Sequence, residues 1–294
     1  MFELHQTDVD GVRCFWVETG RPTLAAALVF RAGMADEPLS QSGWLHLLEH
    51  LSLHGRGGGA LHVNGSVSLL HTTFDAHGPV ESVANHLADV TSWLNAPTFE
   101  ELERERGVLH AEATLRGGPG ARLFTWRYGA RGPGVIGYEE PGLGRATPEL
   151  LTQRSHQVFT RGNAALILDG PPPAGLRLTL PEGDLVEPSV AVPCGDRLPA
   201  AYVDESGVVL SGRVSRSPTA TVAQDILQRA LHERLRGHEG AAYAPWAGYE
   251  PVDAGRALLF GGSDVLPVLY SSLVDSILDL VNRLRDEPVP DTWL

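Results

Sequence analysis

The sequence predicts an α+β fold, and three observations carry it. Short runs rich in β-branched and aromatic residues alternate with longer stretches whose apolar residues recur three and four apart. Gly- and Pro-containing breaks separate them. In chain order, Val12–Val17 and 23–31 read as strands, and 43–53 as a helix dense in leucine. Residues 63–74 read as a strand region, and 80–94 as a helix with Val83, Leu87, Val90 and Leu94 on one face. Residues 99–115 are acidic, lack proline and read as a third helix. Thr147 is a plausible N-cap for a helix over 148–159, and Ala164–Leu168 reads as a buried strand. After a Pro/Gly-rich stretch the style repeats: strand 208–210, helix 220–235, strand 257–260, helix 265–284. Strands with helices packed on them imply two related domains of antiparallel sheet. Residues 1–195 form the first, with a linker over about 171–199, and 196–294 form a shorter second.

Composition narrows the function. With 36 acidic residues against 23 basic ones, all arginine, the formal net charge of −13 argues against a nucleic-acid surface. No apolar run approaches the length of a membrane span, so no membrane partner is expected. The first eight residues are polar and acidic, unlike a presequence. Cys14 and Cys194 sit in apolar or turn contexts, as expected of free thiols in a reducing, cytoplasmic setting.

One run specifies chemistry. Residues 44–50, Trp-Leu-His-Leu-Leu-Glu-His, contain H-x-x-E-H. On a helix His46 and His50 share a face, and two imidazoles at that spacing can bind one zinc ion. Glu49 then stands where it can take a proton from a metal-bound water. Among 12 histidines a chance match is the alternative, but ionisable residues rarely sit among leucines without a partner or a metal. A catalytic zinc usually takes a third protein ligand. Glu105 and Glu112, seven apart, share a face of the acidic helix. Glu112 is the candidate ligand and Glu105 the carboxylate that holds a histidine or the helix in place. His54 also extends the face of His46 and His50, but three ligands over more than two turns of a straight helix cannot reach one tetrahedral ion.

His46, Glu49 and His50 followed by Glu105 and Glu112 resemble the pitrilysin/insulinase family of zinc metallopeptidases, which includes the mitochondrial processing peptidases. The resemblance covers nearly the whole chain, most firmly 28–55, 97–116 and 231–262. It implies a clam-shell of two α+β domains, a Zn2+ cofactor and hydrolysis of extended or unfolded peptides. The segment Asn64 to Thr72 is similar to the strand that pairs with substrate backbone, which makes Asn64 and His71 candidate substrate-binding residues. Arg236 and Tyr243 match the family's R-x6-Y element, implied to reach the substrate carbonyl. A homodimer, or a heterodimer with a related subunit, is also implied, and with it a role in processing a peptide precursor.

Two departures stand out. The interval from His50 to Glu112 is short, with the Gly-rich 55–60 where the family has a helix, and the second domain reads as abbreviated. The rival expectation is a non-catalytic peptide-binding or assembly subunit of a heteromeric peptidase. The full set of His46, Glu49, His50, Glu105 and Glu112 speaks against it.

Overall fold

The computed structural model describes residues 3–115, 119–195, 207–238, 244–290 and 293. Strands β1 (Leu4–Val9), β2 (Val12–Val17) and β3 (Leu24–Phe30) lead to helix α1 (Trp44–Leu53). The hairpin β4 (His62–Val67) and β5 (Thr72–Gly78) follows, then α2 (Val80–Asn95), α3 (Leu102–Leu115), α4 (Pro119–Tyr128) and α5 (Pro148–Val158). Strands β6 (Ala164–Leu168) and β7 (Val208–Ser215), helix α6 (Pro218–Leu231), strands β8 (Trp246–Pro251) and β9 (Arg256–Ser263), and helix α7 (Tyr270–Asp286) complete the order.

The chain divides into two compact units, Met1–Leu115 with Tyr138–Pro188, and Arg116–Gly137 with Ser189–Leu294. A single division at 195 therefore does not describe it, because α4 packs with the second unit.

The first unit is built on a six-stranded sheet in the order β1-β2-β6-β3-β5-β4. Its pairings are antiparallel except β2 with β6, which run parallel. The expected α+β architecture of antiparallel sheet packed with helices holds, with this one parallel pairing inside it. β6 returns beside β2 after the long excursion through α5, and a crossover of that length can deliver a parallel strand. Strand β3 alternates buried and half-buried residues along its whole length, the period-2 pattern of a sheet with one face in the core. Leu28, Phe30, Phe74 and Leu166 from the sheet meet Leu45, Leu48, Leu87 and Leu109 from the helices in one cluster.

The strand region 63–74 is two strands. The turn at Ser68–His71 contains no Gly or Pro, and its Leu69 and Leu70 are buried, so it reads as strand in the letters. β1 was not foreseen: most of it is exposed, without apolar alternation, at the sheet's edge. In α5 the Thr147 side chain accepts from the Leu150 N–H as a cap should.

The second unit holds the antiparallel sheet β7-β9-β8. Leu227, Leu231 and Leu235 pack with Leu273 and Ile277 of α7. The helix expected over 220–235 begins at Pro218 behind the cap Ser217, and past Leu231 it widens into a π-helical segment, His232–His238. The last helix starts at Tyr270, after a 3-10 turn at Pro267–Leu269. Among the described residues no helix is long and apolar enough to cross a membrane.

Candidate metal centre

The candidate site lies within the first unit, where α1 packs against α3 and the edge strand β4. Helix α1 is entered through Gly43, whose φ of 92° suits a residue without Cβ. Its first free N–H groups need acceptors. The buried Glu37 supplies two, taking the N–H of Gly43 at 3.0 Å and of Leu45 at 2.8 Å. Burial pushes the Glu37 carboxyl up to about 8, against the opposite pull of these N–H groups and of Arg154.

From α1 the two imidazoles stand edge to face, with ring centroids 4.7 Å apart. The Nε2 atoms of His46 and His50 lie 3.9 and 3.8 Å from one oxygen of Glu49. From α3, Glu112 sets one carboxylate oxygen 3.9 Å from the His46 Nε2 and the other 3.9 Å from the His50 Nε2. The sequence-derived pair on α1 and Glu112 on α3 are thus brought to one spot. Among the described residues His46, Glu49 and His50 form a group that could hold a metal ion, with ligand atoms within 4.8 Å of one another.

The opposite ring nitrogens are engaged. His50 Nδ1 donates to Glu105 Oε2 at 3.1 Å, and His54 Nδ1 donates to Glu105 Oε1 at 2.8 Å. His54 is the C-cap of α1, where the backbone has already left the helix; it shares the supporting carboxylate instead of joining the cluster. Burial raises the Glu105 carboxyl, but the hydrogen bonds and charge of the two imidazoles outweigh it and hold the group below its ordinary value. His46 Nδ1 donates to Glu140, 3.0 Å from one oxygen and 3.3 Å from the other. Glu140 was missed by the sequence reading. The signal available was a pair of carboxylates, Glu139 and Glu140, inside a Gly-, Pro- and apolar-rich stretch.

Glu49 is buried, with 5% of its surface exposed. Burial pushes its carboxyl above the ordinary range, while the two imidazoles pull it back. Gly65 of β4 turns toward it. A Cβ at Gly65 would overlap Glu49 Oε1 and come 2.7 Å from both Glu49 Cδ and Leu53 Cδ1. The edge strand can lie this close only because residue 65 has no side chain.

The donor chemistry fits zinc. Two imidazoles, each with Nδ1 set against a carboxylate, can present their Nε2 lone pairs, and Glu112 adds oxygen. A tetrahedral ion with bonds of about 2.0–2.1 Å holds its ligand atoms about 3.4 Å apart. The 3.9 Å separations need only a small closure of Glu112, whose side chain is 43% exposed and has room to move.

The other candidates are placed as follows. Asn64 is exposed on β4, on the strand face opposite Gly65, so only its backbone belongs to the side of Glu49. His71 closes the hairpin turn, its N–H donating to Ser68 Oγ at 3.2 Å. Arg236 is exposed in the π-helical segment of the second unit, and Tyr243 lies outside the described residues.

No protein-family model matches the chain, and no curated protein matches it in sequence. Solved structures do. A protease from Helicobacter pylori superposes with a TM-score of 0.75 at 15% identity, covering 100% of this chain and 82% of that one. The peptidase M16 inactive domain from Pseudomonas fluorescens gives 0.75 at 15%, over 97% of this chain and 80% of that one. Pitrilysin gives 0.66 at 16%, with all of this chain covering 37% of pitrilysin. The fold is that of the pitrilysin-type M16 peptidases. At these identities the likeness speaks for the architecture, and the reaction must be argued from the side chains.

Proposed function

We propose that the chain is a zinc metalloendopeptidase acting on extended or unfolded peptides. The observation that carries this reading is the convergence of His46 Nε2, His50 Nε2, Glu49 and Glu112 on one spot, with both Nδ1 atoms tied back to buried carboxylates. His46, His50 and Glu112 would hold Zn2+. Bound there, the ion would acidify a water molecule and polarise the scissile carbonyl.

The chain's own residues do the rest. Glu49 accepts a proton from the attacking water as the C–O bond forms, then delivers it to the amine nitrogen as the C–N bond breaks. Glu105 holds the His50 imidazole in register. β4, the edge strand of the sheet among the described residues, offers backbone N–H and C=O groups to a peptide added as a further strand. Backbone pairing of this kind tolerates many sequences, which suits a substrate defined by being unfolded. Arg236 and Tyr243 would steady the substrate carbonyl, Asn64 would contribute through its backbone, and His71 would line the peptide's path. Work in the cytoplasm, as a homodimer or with a related subunit, completes the proposal.

The test is elemental analysis of the purified chain together with hydrolysis of quenched fluorogenic peptides. About one zinc per chain is expected, as for a mononuclear site, with Glu112→Ala losing it. Glu49→Gln should keep the metal and lose hydrolysis by roughly 10²–10⁴-fold. A non-catalytic peptide-binding or assembly role is the second reading, favoured by the likeness to an inactive M16 domain. Zinc-loaded wild-type chain that binds peptides but cleaves none would select it.

A further inference from the structure

We propose that Glu140 is a positioning residue for this site: it locks His46 in the Nδ1–H tautomer and aims its Nε2 at the position shared with His50 and Glu112. The inference rests on the metallopeptidase reading above.

Three observations support it. First, Glu140 is buried, with 4% of its surface exposed, and both its oxygens face the His46 Nδ1, at 3.0 and 3.3 Å. An imidazole nitrogen facing a carboxylate on that side carries the proton, which leaves the lone pair on Nε2. Second, Glu140 is held in an unfavourable backbone conformation. Its φ is 50°, and among the described non-glycine residues only Asp10 shares a positive φ. A residue of this type in the left-handed region is strained and persists only where its surroundings over-determine it. Third, those surroundings are visible. The Trp44 Nε1–H donates to the Gly142 carbonyl at 2.9 Å, fastening the loop to the start of α1. The Leu143 N–H donates to the Glu140 carbonyl at 3.1 Å, closing a turn. A Cβ on Gly43 would come within 2.8 Å of the Glu140 Cβ, so the loop packs directly on the residue that opens the helix. The loop and α1 are thus built to bring this one carboxylate to this one ring nitrogen. Glu105 does the same for His50 from α3, so each imidazole has its own carboxylate on a separate element.

The test compares wild-type chain, Glu140→Gln, Glu140→Asp and His46→Ala. Zinc affinity is read by competition with a chromophoric chelator, and site geometry by the visible spectrum of the Co2+-substituted chain. Histidine tautomers are read by 15N NMR of the metal-free wild-type protein, which needs no variant. Glu140→Gln should weaken zinc binding about 10- to 100-fold and alter the Co2+ spectrum. Glu140→Asp should recover part of the loss, and the metal-free His46 should carry its proton on Nδ1. Wild-type affinity in Glu140→Gln, or a neutral metal-free His46 protonated on Nε2 and not on Nδ1, would overturn the role of Glu140 while leaving the zinc site standing. If the wild-type chain binds no zinc and His46→Ala changes nothing, the metallopeptidase reading fails and takes this inference with it. Should Glu140→Gln not fold, the tautomer measurement decides alone.

Discussion

Replacing Gly65 by alanine should disable the site without dismantling it. The added methyl would lie 2.7 Å from Glu49 Cδ and from Leu53 Cδ1, against the 3.4 Å at which ordinary contact begins. It would also overlap Glu49 Oε1. Either the carboxylate or the edge strand must therefore retreat by about 0.7 Å or more. The carboxylate is the softer of the two, since β4 is fixed residue by residue to β5 from His62 to Val67. A displacement approaching 1 Å at a reacting group costs about 10²-fold, so kcat/KM for peptide hydrolysis should fall roughly a hundredfold. Overpacking of this kind destabilises by about 1–3 kcal/mol, small enough for the chain to remain folded. Zinc binding should change little, because the three atoms met first belong to Glu49 and Leu53 and not to His46, His50 or Glu112. The assay is steady-state hydrolysis with zinc content and thermal unfolding measured on the same samples. Full activity in Gly65→Ala would refute the idea that the strand's approach sets the Glu49 carboxylate. Loss of zinc would show that the helix itself had moved.

Two further outcomes follow from the supporting carboxylates. Glu105→Gln offers one oxygen where His50 and His54 each use one; zinc affinity should drop about 10- to 100-fold, while His54→Ala leaves zinc stoichiometry unchanged, and a His54→Ala chain without zinc would make His54 a ligand after all. Glu37 tests linkage: its carboxyl is raised by burial from 4.5 to about 8, so between those values the unfolded chain has released a proton that the folded chain keeps. Its contribution is fully present below the lower value and is lost as pH rises through the upper one. The urea midpoint of the wild-type chain should therefore fall across that window relative to Glu37→Gln. Glu250, also raised by burial, to about 7, contributes the same slope to both proteins and cancels in the comparison. Parallel pH profiles would mean that Glu37 ionises in the folded chain as it does in the unfolded one.

What the sequence determined by itself was local and periodic. His46, Glu49 and His50 fall on adjacent turns of α1 because a helix repeats every 3.6 residues, and the same rule aligns Glu105 with Glu112 on α3. The leucines around them and the alternation along β3 announced which faces would be buried. These features need only the bond geometry of a few consecutive residues. The partner of His46, in contrast, lies 94 residues away in a loop that no periodicity marks. The closeness of Gly65 to Glu49 depends on the register in which a hairpin packs on α1. The parallel pairing of β2 with β6, the membership of α4 in the second unit and the exposed strand β1 likewise depend on where the chain returns. The tertiary structure decided these because they are set by packing between distant segments. A carboxylate or a glycine shows its role only when the fold has chosen its neighbour.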